Sequence, residues 1–376
     1  MPDKHALLGP SNSNIWFRCG PALRLGEQFE DRGSVYAAEG TLAHSYCELL
    51  LRKLNGEDGY ADANLPDDMD AEMRSHVLAY RDFVEEELNA ARAVCPTTHL
   101  FVEVQFDLSE YIPEGFGTSD AVIVSDECLT VIDFKYGKGV AVNAVNNSQL
   151  RLYALGAYTK FGSLYDFNRV RTVVFQPRVQ NIGDDELTVQ ELLDWAIDEV
   201  KPLAERAWKG EGEFVVGDHC RFCRASGVCR ARAEEAFKVI EKTDTKPPLL
   251  GDDEIPAILD KLDNTEKWIA AVRAYATARA INDGQRWEGY KLVESRTQRR
   301  INDQLGALTA LNKAGFSTED VTNVKLKGLT DLEHLLGKKQ FAEVLGPYTV
   351  KPAGAPCLAK ASDKRPEINP AESIFN

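Results

Sequence analysis

The stretch that most limits what this chain can fold into is residues 117–135. It reads Gly-Thr-Ser-Asp-Ala-Val-Ile-Val, a short polar turn, then Cys-Leu-Thr-Val-Ile-Asp-Phe-Lys. Two apolar, β-branched runs (121–124 and 129–132) flank Ser125-Asp126-Glu127, a pattern that predicts a β-hairpin. Each strand carries an acid where the apolar pattern does not call for one: Asp120 opens the first and Asp133 closes the second. Lys135 follows Asp133 by two residues, and side chains two apart on a strand share a face. A hairpin of this kind brings two carboxylates and an ammonium together at the edge of a buried sheet. That arrangement suits a divalent cation and a charged group beside an attacking water. A surface turn with a solvated salt bridge fits the same residues, so other segments must decide.

Around the hairpin the hydrophobic periods predict a helix over 37–54, with Leu42, Tyr46, Leu49, Leu50 and Leu54 at three- and four-residue steps, and a second over 71–93. Residues 99–108 alternate as a strand, with Glu103 and Gln105 opposite the apolar face. Helix over 147–159, strand over 169–176 and helix over 191–208, interrupted near Pro202, complete an α/β order in which helices cover a mixed sheet. The two prolines in 243–248 mark a boundary. Beyond it the patterns predict helix over 255–282, strand over 290–295, helix over 303–314 and one or two helices over 329–345, then an extended tail. The expected domains are 1–242, 249–346 as a mainly helical accessory domain, and 347–376.

The Asp120, then Asp133-x-Lys135 pattern resembles the PD-(D/E)xK nucleases, and in particular their RecB-like exonuclease branch. That resemblance implies a restriction-endonuclease-like mixed sheet flanked by helices. Gly40-Thr41-x-x-His44 on the first long helix is similar to the element by which these enzymes supply a histidine to the metal. Gln149 and Tyr153, four apart on one helical face, match their Q-x-x-x-Y element, which helps orient substrate and lysine. The resemblance therefore implies Mg2+ or Mn2+ held by His44, Asp120, Asp133 and the Phe134 carbonyl, with Glu103 as an outer or second-metal carboxylate. Catalytic roles fall to Asp120, Asp133, Lys135, Gln149 and Tyr153.

Cys220, Cys223 and Cys229 form a C-x2-C-x5-C cluster, and Cys19 is the natural fourth ligand. This one-plus-three layout is similar to the iron–sulfur nucleases of the RecB-like branch, including the AddB subunit and CRISPR-associated relatives, and implies a structural [4Fe–4S] cluster. Zinc remains the alternative, because four cysteines, or three with the adjoining His219, also suit it. Cys47, Cys95, Cys128 and Cys357 show no grouping and read as packing or surface residues. Arg221 and Arg224 make the cysteine loop basic, and Arg296, Arg299 and Arg300 follow Trp287 and Tyr290. With Arg151 these are the candidate DNA contacts.

The formal net charge of −15 opposes indiscriminate phosphate binding. No apolar run approaches the roughly 18 residues of a membrane span, and the N-terminus lacks an apolar signal core, so a cytoplasmic location is the default. Several segments also resemble a bacteriophage protein family encoded beside replication and recombination genes. The expectation is a Mg/Mn-dependent deoxyribonuclease acting as an exonuclease on DNA ends or single strands, with a phage single-strand-binding or annealing protein as a partner. The alternative is a non-cleaving DNA-end or partner-binding protein on a nuclease-like fold.

Overall fold

The computed structural model describes residues 6–29, 35–139, 141–241, 255–291, 293, 306, 309, 313, 329–345 and 348–349. Among these, five strands form one sheet in sequential order: β1 (His99–Asp107), β2 (Phe116–Val124), β3 (Cys128–Phe134), β4 (Arg169–Gln176) and β5 (Asn181–Thr188). All neighbours are antiparallel except β3 and β4, which run parallel. A parallel pair needs a crossover, and helix α5 (Ser148–Phe161) supplies it, capped by the Asn147 side chain accepting from the Gln149 and Leu150 amides.

Strand alternation feeds two cores. Val122, Val124, Leu129 and Val131 pack with Leu152, Leu155 and Phe161 of α5, together with Trp16 of α1 (Ser13–Trp16). Ala121, Ile123, Ile132 and Phe134 pack on the other face with Leu51 of α3 (Val35–Leu54) and Val77, Tyr80 and Val84 of α4 (Ala71–Val94). Short helix α2 (Ala22–Gly26) follows α1. The result is the mixed α/β sheet between helical layers that the sequence predicts.

β1 departs from simple alternation. Leu100 and Val102 join the α3/α4 core, whereas Val104 and Phe106 join the α5 core. The switch happens at Glu103, whose backbone is left-handed with φ 49°. Such a conformation costs a non-glycine residue about 1–3 kcal/mol. The pairing register is unchanged across it, Val102 with Ala121 and Val104 with Ser119, so Glu103 lies opposite Asp120.

β5 is absent from the sequence expectation. Its Asn-Ile-Gly-Asp-Asp-Glu-Leu-Thr run has poor strand propensity, and cross-strand ion pairs hold it at the sheet edge: Arg169 to Glu186 at 3.2 Å and Arg171 to Asp184 at 3.1 Å. The helix expected over 191–208 is α6 (Val189–Trp195) and α7 (Lys201–Lys209) joined by a π turn at Ala196–Val200. That turn absorbs Pro202, which has no N–H to donate back along the helix.

The chain divides into two compact units, Met1–Leu292 and Val293–Asn376. Helix α9 (Ile255–Asn282) thus belongs to the first unit with α8 (Arg230–Glu241), rather than to an accessory domain starting near residue 249. The physical reason is tight packing: a Cβ on Gly227 of the cysteine loop would meet the Ala271 carbonyl oxygen at 2.7 Å, and the Phe237 and Trp268 rings lie 5.6 Å apart. In the second unit α10 (Leu329–Leu345) is broken at Gly337, φ 72°. Residues 290, 291 and 293 carry no strand. The rest of the expected 290–295 strand, most of the 303–314 helix and nearly all of the tail lie outside the described residues.

Candidate metal and catalytic site

The β2–β3 ladder ends at the Ala121–Ile132 pair. One residue further on, the Asp120 side chain takes the place of a strand partner. Its Oδ2 accepts the Phe134 N–H at 2.7 Å, while its Oδ1 lies 3.0 Å from Nδ1 of His44 on α3. Phe134 packs edge-on against the His44 ring at 5.3 Å between centroids. Glu103 completes the group: one ligand atom from each of His44, Glu103 and Asp120 lies within 4.8 Å of the others.

Electrostatics in this corner favour a cation. Burial pushes the Glu103 carboxyl up, and neighbouring Asp120 and Glu48 push it further, to about 7. Burial opposes a charged His44, but Asp120, and then Asp133, outweigh it and raise the imidazole to about 9. Burial likewise opposes a charged Asp120. His44, the Phe134 amide and Lys135 overcome that and hold it below the usual carboxylate range. Two carboxylates facing one imidazole leave surplus negative charge once Glu103 ionises. A divalent ion bound by oxygen and imidazole ligands would neutralise that charge.

The second half of the site faces α5. Asp133 is 3% exposed, and burial raises its pKa despite Lys135. Lys135 Nζ lies 3.0 Å from Asp133 Oδ2 and donates to Gln149 Oε1 at 3.1 Å. Gln149 Nε2 donates to the Tyr153 hydroxyl at 3.1 Å and approaches Asp133 Oδ1 at 3.5 Å. The structure therefore brings His44, Asp120, Asp133, Lys135, Gln149, Tyr153 and Glu103 to one end of the sheet. It differs from the expected ligand set in two respects. Asp133 turns towards Lys135, and Glu103 joins His44 and Asp120 instead. The Phe134 peptide reaches the site through its N–H.

The candidate DNA contacts are less uniform. The Arg151 guanidinium is engaged by Asn146 at 2.6 Å and Asp185 at 3.1 Å and sits over the Trp195 ring at 5.9 Å, so it stabilises the fold where it stands. Arg221 lies over the exposed Phe222 ring at 4.4 Å. Arg224 is exposed on the same loop. Arg296, Arg299 and Arg300 lie outside the described residues.

Cys19, Cys220, Cys223 and Cys229 line one cavity with His219 and Arg232, although Cys19 is some two hundred residues from the others in sequence. Burial pushes the Cys19 thiol up, and the Cys223 thiol to about 11. Backbone amides oppose this: those of Val215 and Ala22 act on Cys19, that of Ala225 on Cys223, and the Gly217 N–H reaches Cys220 Sγ at 3.4 Å. His219 is buried, with Nε2 3.0 Å from the Val215 carbonyl oxygen. Of the remaining cysteines, Cys47 is buried, Cys95 and Cys128 are partly so, and Cys357 lies outside the described residues.

Among solved structures the chain is similar to "Crystal structure of SSO0001", at 16% identity and a TM-score of 0.25, covering 49% of this chain and 81% of that one. At that score the likeness carries nothing about function. Among the described residues no helix is long and apolar enough to cross a membrane. Residues 5–366 match one family model over nearly the whole length, and the chain belongs to that family, described as "Protein of unknown function (DUF2800)".

Proposed function

We propose that this protein is a metal-dependent deoxyribonuclease, an exonuclease acting on DNA ends in phage replication or recombination. The observation that carries the reading is the Asp120 side chain. It ties His44 to the β3 backbone beside Glu103, one residue from an acid paired with a lysine.

His44, Glu103 and Asp120 would hold Mg2+ or Mn2+, with Asp133 adjacent. A bound ion of this kind polarises a phosphodiester and makes a neighbouring water acidic. The chain's own groups supply the rest. Lys135 is held between Asp133 and Gln149, where its charge would offset that developing on the phosphate. Gln149 fixes the lysine by accepting one of its protons and is itself fixed by Tyr153. Asp120 orients the imidazole, keeping one ring nitrogen directed at its carboxylate. No base-reading element is apparent among the described residues, which fits cleavage governed by ends rather than sequence.

The four cysteines fit a structural [4Fe–4S] cluster. Hydrolysis needs no electron, so its role would be to staple the N-terminal segment to the 220–229 loop. Four sulfurs on one zinc at about 2.3 Å sit about 3.8 Å apart. Here no three of these thiols lie within 4.8 Å of one another among the described residues. His219 gives Nε2 to the Val215 carbonyl while its Nδ1 has no hydrogen-bond partner among the described residues, a pattern that a zinc-binding histidine also shows, so metal analysis decides between the two.

The test is anaerobic purification followed by Mn2+-dependent cleavage of end-labelled linear and closed circular DNA. Loss of label from the linear form while the closed circle stays intact, abolished by Asp133→Ala or Lys135→Ala with the fold intact, is the expected outcome. Binding of ends without cleavage would replace this reading with that of a DNA-end-binding protein.

A further inference from the structure

Arg232 is the most deeply buried cation near the cysteines, 4% exposed on α8. It lines the four-cysteine cavity and also the larger cavity between α8 and α9. Its one hydrogen bond among the described residues runs from Nη2 to the Asn264 carbonyl oxygen of α9, at 3.3 Å. No carboxylate of a described residue pairs with it, although Glu234, Glu235 and Asp260 line the same α8–α9 cavity. Glu235 is instead taken by Lys261 at 2.9 Å and Lys238 at 3.5 Å. A guanidinium left this way is costly, because a buried charge without a partner loses several kcal/mol of hydration. What it faces is four thiols, and a cluster held by four thiolates is a net anion whose potential depends on nearby charge and hydrogen bonds.

We propose that Arg232 is the buried counter-charge of the four-cysteine centre, and that through Asn264 it makes the docking of α9 depend on that centre being filled. This rests on the iron–sulfur reading above. The guanidinium does not ligate iron; it balances the cluster's charge from the cavity wall that it shares with the four cysteines. The wider contacts agree with such coupling: Gly227, between two of the cysteines, packs without room for a Cβ against Ala271 and Tyr275 of α9.

The experiment compares the full chain with Arg232→Gln and Arg232→Lys, all purified anaerobically. Iron and sulfide content of the wild-type protein reports on the underlying reading; zinc in place of iron would end that reading and this inference together. With iron and sulfide present, redox titration followed by electron paramagnetic resonance tests the inference alone. Loss of the positive charge should disfavour reduction at least about tenfold, or about 59 mV for a one-electron couple, and Arg232→Lys should recover most of the difference. A Gln variant with wild-type iron content and wild-type potential would overturn the counter-charge role. Should the Gln variant fail to fold, the wild-type protein still decides. Removing iron by chelation should raise protease cleavage within α9 at least tenfold, and unchanged cleavage would overturn the proposal.

Discussion

Replacing Glu103 with glutamine should stabilise the metal-free protein in a pH-dependent way and weaken it once metal is present. In the folded chain burial and Asp120 lift the Glu103 carboxyl from 4.5 to about 7. An acid whose folded pKa is raised favours the folded state fully below its unfolded pKa, and that contribution is lost as pH rises through the folded pKa. The wild-type protein should therefore lose stability between pH 4.5 and about 7, while the Gln variant has nothing at this position to lose. The full displacement would be worth at most about 3.4 kcal/mol; with the side chain partly open to solvent, about 1–2 kcal/mol is the realistic size. For the Met1–Leu292 unit that is about 2–3 °C in Tm. Thermal unfolding in EDTA should show Glu103→Gln equal to wild type at pH 4.5 and more stable at pH 8. With Mn2+ at pH 8 the order should reverse, since a ligand at a hundredfold excess over its Kd adds about 2.7 kcal/mol to the form that binds it. A variant no more stable than wild type in EDTA at pH 8, or stabilised equally by Mn2+, would refute the reasoning.

The His44 imidazole, raised to about 9 by Asp120 against the effect of burial, should titrate well above an ordinary histidine in metal-free NMR spectra, and a value near 6.5 would contradict the ion pair. Because that proton must leave before a ring nitrogen can bind metal, Mn2+ affinity should rise with pH up to about 9. Gln149→Leu removes the acceptor that positions Lys135 and should slow cleavage about 10–100-fold with little change in Tm; unchanged turnover would remove Gln149 from the site. Gly156→Ala should cost about 1–3 kcal/mol in urea unfolding, because its Cβ would stand 2.5 Å from the Phe106 Cβ where α5 presses on β1; no loss would mean that contact yields easily.

The hairpin, its flanking helices and the crossover helix were legible because their apolar residues repeat at strand or helix period over long runs. Asp120 and Asp133 stood out for the opposite reason: each interrupts such a run. β5 was not legible, since its Asp184, Asp185 and Glu186 read as loop and only pairing with Arg169 and Arg171 makes them a strand. Nor was the place of Glu103. Leu100, Val102, Val104 and Phe106 alternate perfectly in sequence, and nothing local announces that the backbone reverses its faces at Glu103. Its charge opposite Asp120 becomes visible only once β1 and β2 are in register. The docking of α9 was hidden in the same way, because the prolines before it look like a domain boundary while its contacts, Gly227 against Ala271, Phe237 against Trp268 and Arg232 to Asn264, are set only by the tertiary fold.

The proposed activity depends on His44, Glu103 and Asp120 holding a divalent cation. Titration of the metal-stripped full chain with Mn2+ at pH 8, reading free Mn2+ by electron paramagnetic resonance, addresses it directly. The account predicts saturable binding that falls at least about tenfold in His44→Ala, Glu103→Gln and Asp120→Asn, each checked for folding. Absence of saturable binding in the wild-type protein, or binding indifferent to all three substitutions, would contradict it.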